Sequence, residues 1–151
     1  MHAQVGCRER PAIPRCYTRR MQTRAQVPGR ILVIDDEAVV KELLARVLGK
    51  AGHEVVAVSN GEEALREIVK ARFDLLIVDK NLPGMNGLDV MRLVRGHEPH
   101  LRAILITAYP TRESEVEAKE LGIHAYVVKP FGIVAMIATV DEAIRAGRAG
   151  Q

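Results

Sequence analysis

The sequence predicts an α/β fold, one domain in which helices cover both faces of a doubly wound, five-stranded parallel sheet. Three observations carry that expectation. From residue 30 onward a short apolar run, a turn and a helical stretch follow one another five times, the runs starting about 20 to 28 residues apart. That spacing suits a strand, a helix and two short loops, and regular alternation of this kind argues a parallel sheet. Second, Leu75-Leu76-Ile77-Val78 is continuously apolar, as a strand buried on both faces must be. Third, this run ends on a lone carboxylate, Asp79, and Lys80-Asn81-Leu82-Pro83-Gly84-Met85-Asn86-Gly87 behind it is too dense in turn formers to continue a strand. Asp79 is therefore expected at the C-terminal rim of the sheet, where ligands collect in open α/β folds.

Bulk composition narrows the setting. At 151 residues, 48% apolar and 27% charged, the chain has room for one globular domain with a sizeable core. No window approaches the run of about 20 apolar residues that a membrane span needs. The net charge of +3 is unevenly spread. Residues 1–30 hold seven arginines and one glutamate, whereas residues 31–151 hold 15 Lys and Arg against 18 Asp and Glu. The folded part is thus mildly acidic, which speaks against direct nucleic-acid binding, since phosphate contacts need clustered cations. Cys7 and Cys16 both fall in the basic segment, so the core has no disulfide framework and no metal-binding C-x-x-C. A cytoplasmic location is expected, because no secretory signal precedes the fold. Residues 1–29, with Pro11, Pro14, Pro28, Gly29 and no periodicity, read as a disordered basic tail. It is either an arm that attracts anions or a non-native extension ahead of a natural start at Met21, and we favour the second.

The elements follow in order. The first apolar run, residues 31–34, leads into a helix in which Val39, Val40, Leu43, Leu44, Val47 and Leu48 form a stripe three and four apart, with Gly49 and Gly52 bracketing its end. The run at residues 55–58 is followed, after Gly61, by Ala64, Leu65, Ile68 and Val69. The run at 75–78 is followed, after Gly87, by Leu88, Val90, Met91, Leu93 and Val94. Behind the run at 103–106 comes a polar helix at about 111–121, with Pro110 suited to its first turn and Gly122 to its C-terminal cap. The run at 125–128 precedes a fifth helix opened by Pro130. Residues 131–140 carry no charge, and Ile133, Val134, Met136, Ile137 and Val140 cover more than one face. That breadth suits a wide core contact, or a patch with Val134 or Ile137 left outside to dock a partner. The domain is expected to span 30–147, with a short tail at 148–151.

Polar residues that the apolar runs do not explain stand at the strand ends. The first strand ends in Asp35-Asp36-Glu37, the third in Asp79, the fourth in Thr107 and the fifth in Lys129-Pro130. If the spatial order is 2-1-3-4-5, the first and third strands are neighbours and their carboxylates share the crevice where the order reverses. Carboxylates at close range repel and need a cation or a proton. Oxygen ligands of this number suit Mg²⁺.

Together these residues make the chain resemble the response-regulator receiver domains of bacterial two-component systems. The resemblance rests on Asp35-Asp36, on Asp79 with the turn from Asn81 to Gly87, on Thr107-Ala108 and on Lys129-Pro130-Phe131, and it covers residues 30 to about 147. It implies a flavodoxin-like sheet of order 2-1-3-4-5. It implies that Asp79 accepts a phosphoryl group from a sensor histidine kinase, with Mg²⁺ held by Asp36, Asp79 and the Asn81 backbone carbonyl and assisted by Asp35. Lys129 would pair with the phosphoryl oxygens and Thr107 would hydrogen-bond to one of them. Family members usually hold the peptide before the Pro130 position in cis. Thr107 and Tyr126 would form the switch, changing the face made by the fourth helix, fifth strand and fifth helix. The outcome would be docking onto a downstream effector, relay to a histidine phosphotransfer protein, or pairing with a second copy.

Singly, each residue has a plainer role. Tyr126 could be a buried structural ring; at the strand ends, Asp35 or Asp36 could cap the first helix, Asp79 could close an Asx turn, Thr107 could be a loop hydroxyl and Lys129 a solvated charge. Five such coincidences at one sheet edge favour the joint reading. His53, His97, His100 and His124 lie outside the motifs and are expected to be structural. A haloacid-dehalogenase-type enzyme would need an Asp at the position of Asn81, and a dinucleotide-binding domain would need glycines where Asp35-Asp36-Glu37 stands. An unphosphorylated receiver-like interaction module is the remaining alternative. With Gln151 close behind the fifth helix, a free-standing, non-enzymatic receiver is expected. Tyr109, two residues after Thr107, is placed to obstruct the water that would hydrolyse a phosphoaspartate, whereas the effect of Lys80 has no clear sign.

Overall fold

Leu75 to Val78 are fully buried in the computed structural model, which describes residues 28–150. They belong to β3 (Leu75–Asp79), the central strand of five, the others being β1 (Arg30–Ile34), β2 (Glu54–Val58), β4 (Arg102–Thr107) and β5 (Ala125–Val128). All pairings are parallel, in the order β2-β1-β3-β4-β5. Among the described residues five helices alternate with them: α1 (Ala38–Lys50), α2 (Gly61–Lys70), α3 (Gly87–His97), α4 (Arg112–Glu120) and α5 (Ile133–Ala149). The expected disorder of residues 1–27 lies outside the described residues.

Two cores form because side chains alternate across each strand. Leu32, Ile34, Leu76, Val78 and Leu105 point to one face and are covered by Ala64 and Ile68 of α2, Met91 and Val94 of α3 and Ala118 of α4. Ile31, Val33, Leu75, Ile77 and Ile104 point to the other and are covered by Leu44 and Leu48 of α1 and Met136, Val140 and Ile144 of α5. A strand that must satisfy both cores has no polar side, which is why β3 reads as a continuous apolar run.

Helix starts are set by side-chain caps. Asn60 accepts from the Glu63 amide and Asn86 from the Asp89 amide. Thr111 and Ser114 form a capping box on α4, so the helix begins at Arg112 and Pro110 lies before it, one residue later than the expected first turn. The fifth helix also starts later than expected. Pro130 sits in a cis peptide after Lys129, Gly132 is the extended N-cap, and helical geometry begins at Ile133 and runs to Ala149, past the expected boundary at 147. At the first helix end, Gly49 is inside α1 and Gly52, at φ +103°, makes the turn into β2.

Pro28 and Gly29 belong to the fold, although the basic tail was expected to run through them. The Gly29 amide donates to His53 Nδ1 at 3.1 Å, and the Glu54 amide donates to the Gly29 carbonyl at 2.9 Å. His53 is buried, and its other nitrogen meets Asp141 of α5 at 3.2 Å. Arg148 near the end of α5 donates to the Pro28 carbonyl at 2.5 Å. Among the described residues no helix is long and apolar enough to cross a membrane.

Candidate functional site

Register builds the site. Ile34 of β1 lies beside Val78 of β3, so Asp35 and Asp79 emerge side by side at the C-terminal edge, where the strand order reverses. Both are almost sealed from solvent, at 0% and 4% exposure. Each also closes a local turn. Asp35 Oδ1 accepts from the Glu37 amide at 2.9 Å and Asp79 Oδ1 from the Asn81 amide at 3.1 Å. The plain turn role and a place at the shared edge therefore coexist, Oδ1 serving the turn in each while Oδ2 meets Lys129. Asp36 is exposed, yet one carboxylate oxygen from each of Asp35, Asp36 and Asp79 falls within a 4.8 Å cluster, a group that could hold a metal ion.

Lys129 reaches across from the end of β5. Its ammonium donates to Asp35 Oδ2 and Asp79 Oδ2, each at 3.1 Å, and to Glu37 Oε1 at 2.6 Å. The Lys129–Pro130 peptide is cis. Thr107, fully buried at the end of β4, donates its hydroxyl to Asn81 Oδ1 at 3.1 Å and accepts from the Tyr109 amide at 3.0 Å. Asn81 thus links β3 to β4 through its side chain. The loop after Asp79 folds back so closely that a Cβ on Gly87 would lie 2.3 Å from the Asp79 carbonyl oxygen. Only glycine fits there.

Charge is out of balance in this cleft. Burial pushes the Asp35 carboxyl up to about 6, and although the Glu37 amide and the Lys129 ammonium act against burial, the neighbouring charge of Asp79 adds to it. Burial pulls Lys129 down, but its hydrogen bonds to Glu37, Asp79 and Asp35 outweigh this and hold it above its ordinary range. Among the described residues Asp35, Glu37 and Asp79 share the Lys129 ammonium and Asp36 adds a further carboxylate to the cluster, and a divalent cation or an added proton would restore balance.

Tyr126 stands apart from the cluster, half-buried on β5. Its hydroxyl accepts from the Thr111 amide at 3.3 Å and is hydrogen-bonded to Ser114 Oγ at 2.6 Å, joining the capping box of α4. Tyr109 is 70% exposed, and its carbonyl accepts from Lys80 Nζ at 3.2 Å. The structure therefore brings Asp35, Asp36, Asp79, Asn81, Thr107 and Lys129 to one edge and puts Tyr126 one layer away. Sequence reasoning missed Glu37 as a partner of Lys129, Ser114 as a partner of Tyr126, and His53 as a tie between three segments. A threonine three residues before a serine at a helix start was the one signal available for Ser114.

A doubly wound sheet of this order with an acidic cleft at its switch point defines a flavodoxin-like domain of the chemotaxis-regulator type. Residues 31–141 match the family model of the response regulator receiver domain, and the chain belongs to that family. It is 39% identical over 109 residues to the response regulator protein FleR of Pseudomonas aeruginosa, covering 72% of this chain and 23% of that one. It is 35% identical to the sporulation initiation phosphotransferase F of Bacillus subtilis, covering 69% of this chain and 84% of that one. A receiver domain protein from Methanospirillum hungatei has a similar crystal structure, with a TM-score of 0.80 at 25% identity over 83% of this chain and 100% of that one. The chain thus spans less than a quarter of one curated relative and most of another. Receiver domains are signalling modules of two-component systems that interact with histidine kinases and effectors and bind Mg²⁺ at an acidic pocket.

Proposed function

We propose that Asp79 is the phosphoacceptor of a two-component response regulator, taking a phosphoryl group from a sensor histidine kinase in a Mg²⁺-dependent reaction. The observation that carries this reading is the Asp79 carboxylate itself, 4% exposed at a strand end, one oxygen on Lys129 and Asp35 alongside. A carboxylate oxygen of Asp79 bonds to phosphorus as the donor's bond to phosphorus breaks, and the leaving imidazole or carboxylate takes the electron pair. Lys129 then exchanges carboxylate oxygens for phosphoryl oxygens. The Thr107 hydroxyl gives up Asn81 Oδ1 to donate to the same group.

Three carboxylate oxygens within 4.8 Å form a hard donor set that fits a divalent cation. Asp35, Asp36, Asp79 and the Asn81 carbonyl would hold Mg²⁺, which when bound neutralises charge on the transferring group.

Thr107 and Tyr126 are the proposed switch. Movement of Thr107 would be felt by Tyr126 through the short segment between Tyr109 and Thr111, and the face of α4, β5 and α5 would change with it. That face exposes Val116, Val128, Ile133 and Val134, and it suits an effector, a histidine phosphotransfer protein or a second copy of the chain. We read the protein as a cytoplasmic single-domain regulator that works by docking, with no direct contact to nucleic acid or membrane. The single-domain part follows two relatives of which the chain covers 84% and 85%, whereas it covers 23% to 53% of others.

Intact mass after incubation with acetyl phosphate and Mg²⁺ tests the central step. A gain of one phosphoryl group that is lost with chelator and absent in Asp79→Asn is expected. No gain from any phosphodonor would overturn the reading and leave an unphosphorylated interaction module.

A further inference from the structure

Lys129 is held by a third carboxylate to which the phosphoacceptor reading gives no task. Glu37 Oε1 receives the shortest of the three hydrogen bonds from the Lys129 ammonium, 2.6 Å against 3.1 Å to each of Asp35 and Asp79. Its side chain is 58% exposed, whereas those of Asp35 and Asp79 are at 0% and 5%, so it reaches the ammonium from the solvent side. Glu37 is the N-cap residue of α1, yet its side chain makes no capping hydrogen bond. The helix start therefore does not explain where this carboxylate points. On the solvent side, where Glu37 stands, an ion pair adds only about 0–1 kcal/mol to stability. What distinguishes the contact is its place over a cleft that already holds Asp35, Asp36 and Asp79.

We propose that Glu37 is a positioning residue that parks the Lys129 ammonium at the mouth of the cleft and contests it with the incoming phosphoryl group. Its charge thereby sets how readily an anionic phosphodonor gains the site. The proposal rests on Asp79 as phosphoacceptor. For transfer, Lys129 must leave Glu37 for the phosphoryl oxygens, and the released carboxylate stays near the entrance. The release of Lys129 is the same for every donor, whereas the repulsion from Glu37 opposes the donor in proportion to the donor's own negative charge. A purely structural role would not scale in this way.

The test compares wild type with Glu37→Gln at fixed Mg²⁺, using acetyl phosphate, a dianion at neutral pH, and phosphoramidate, which carries one negative charge fewer. Because the Coulomb part is linear in donor charge and the release of Lys129 is common to both donors, a gain of about fivefold in phosphorylation rate with acetyl phosphate should fall towards about twofold with phosphoramidate, and both should shrink as salt rises. Equal gains with the two donors, no gain, or a loss would overturn the proposal. A second readout needs neither metal nor donor. In chelator, the ¹⁵N-labelled Lys129 ammonium should show slow proton exchange in wild type and fast exchange in Glu37→Gln, and unchanged exchange would overturn the parking contact. A wild type that accepts no phosphoryl group from any donor would instead overturn the reading of Asp79, while the exchange measurement would still report on Glu37 by itself.

Discussion

Asp35 is buried at a cost that its partners only partly offset. With its carboxyl pushed up to about 6 from 3.8, the folded state binds a proton more tightly than the unfolded chain does. In metal-free protein its contribution is therefore most favourable below about pH 4 and is lost as pH rises through about 6, a change on the order of 3 kcal/mol, most of it between pH 4 and pH 7. Urea unfolding in chelator should show Asp35→Asn gaining on wild type by about that amount between pH 4 and pH 7. A difference that does not change with pH would count against it. Gly87→Ala should cost about 2 kcal/mol or more, because the new methyl meets backbone that has no rotamer to yield. Tyr109→Ala should speed phosphoaspartate decay several-fold if the exposed ring shields the bond from water, and an unchanged decay rate would dismiss that role. Asp35, Asp79, Thr107 and Lys129 were legible because each is polar at the close of an apolar run. Glu37 and His53 were not, since their partners Lys129 and Asp141 lie 92 and 88 residues away and only the folded sheet brings them near.

The α4 helix depends on a residue outside it. Ser114 Oγ donates to the Thr111 carbonyl at 3.0 Å, so in the shared contact Tyr126 is the donor, and the same phenol accepts the Thr111 amide. Tyr126→Phe and Ser114→Ala should each cost about 1 kcal/mol, and a double-mutant cycle in urea should return a coupling of about 0.5–1.5 kcal/mol. Additivity would mean that the cap stands without the phenol. On α5, Val134 is 83% exposed, so Val134→Asp should leave stability within about 0.5 kcal/mol of wild type while weakening effector binding. Unaltered binding would place the docking face elsewhere. Strands were legible as elements but not in their burial. Residues 55–58 look as apolar as residues 75–78, yet β2 is an edge strand and only half-buried while β3 is sealed. Position in the sheet makes that difference, and composition does not report it. The late start of α5 was hidden for a similar reason, because Pro130 suits a helix start as well as a cis turn.

For the molecule as a whole, the unbalanced cleft makes stability depend on what fills it. Mg²⁺ at about one hundred times its dissociation constant should raise unfolding free energy by about 2.7 kcal/mol, and Asp36→Asn should reduce that gain. A melting temperature indifferent to Mg²⁺ would remove the metal from the site. The order of the strands was an expectation from family resemblance rather than from periodicity, since apolar runs announce strands without saying which are neighbours. Once β1 and β3 are adjacent, the meeting of Asp35 with Asp79 follows from register alone. The contact between Arg148 and Pro28 has a consequence of another kind. It brings both ends of the described fold together at the N-terminal edge of the sheet, the far side from the cleft. A short linker joining residue 28 to residue 150, with new ends opened at the exposed turn of residues 98–100, should yield a circularly permuted chain with its chemistry intact. A fluorescent reporter or a host protein's loop could be spliced in at the same spot, hanging from one point like a pendant and leaving the opposite rim free.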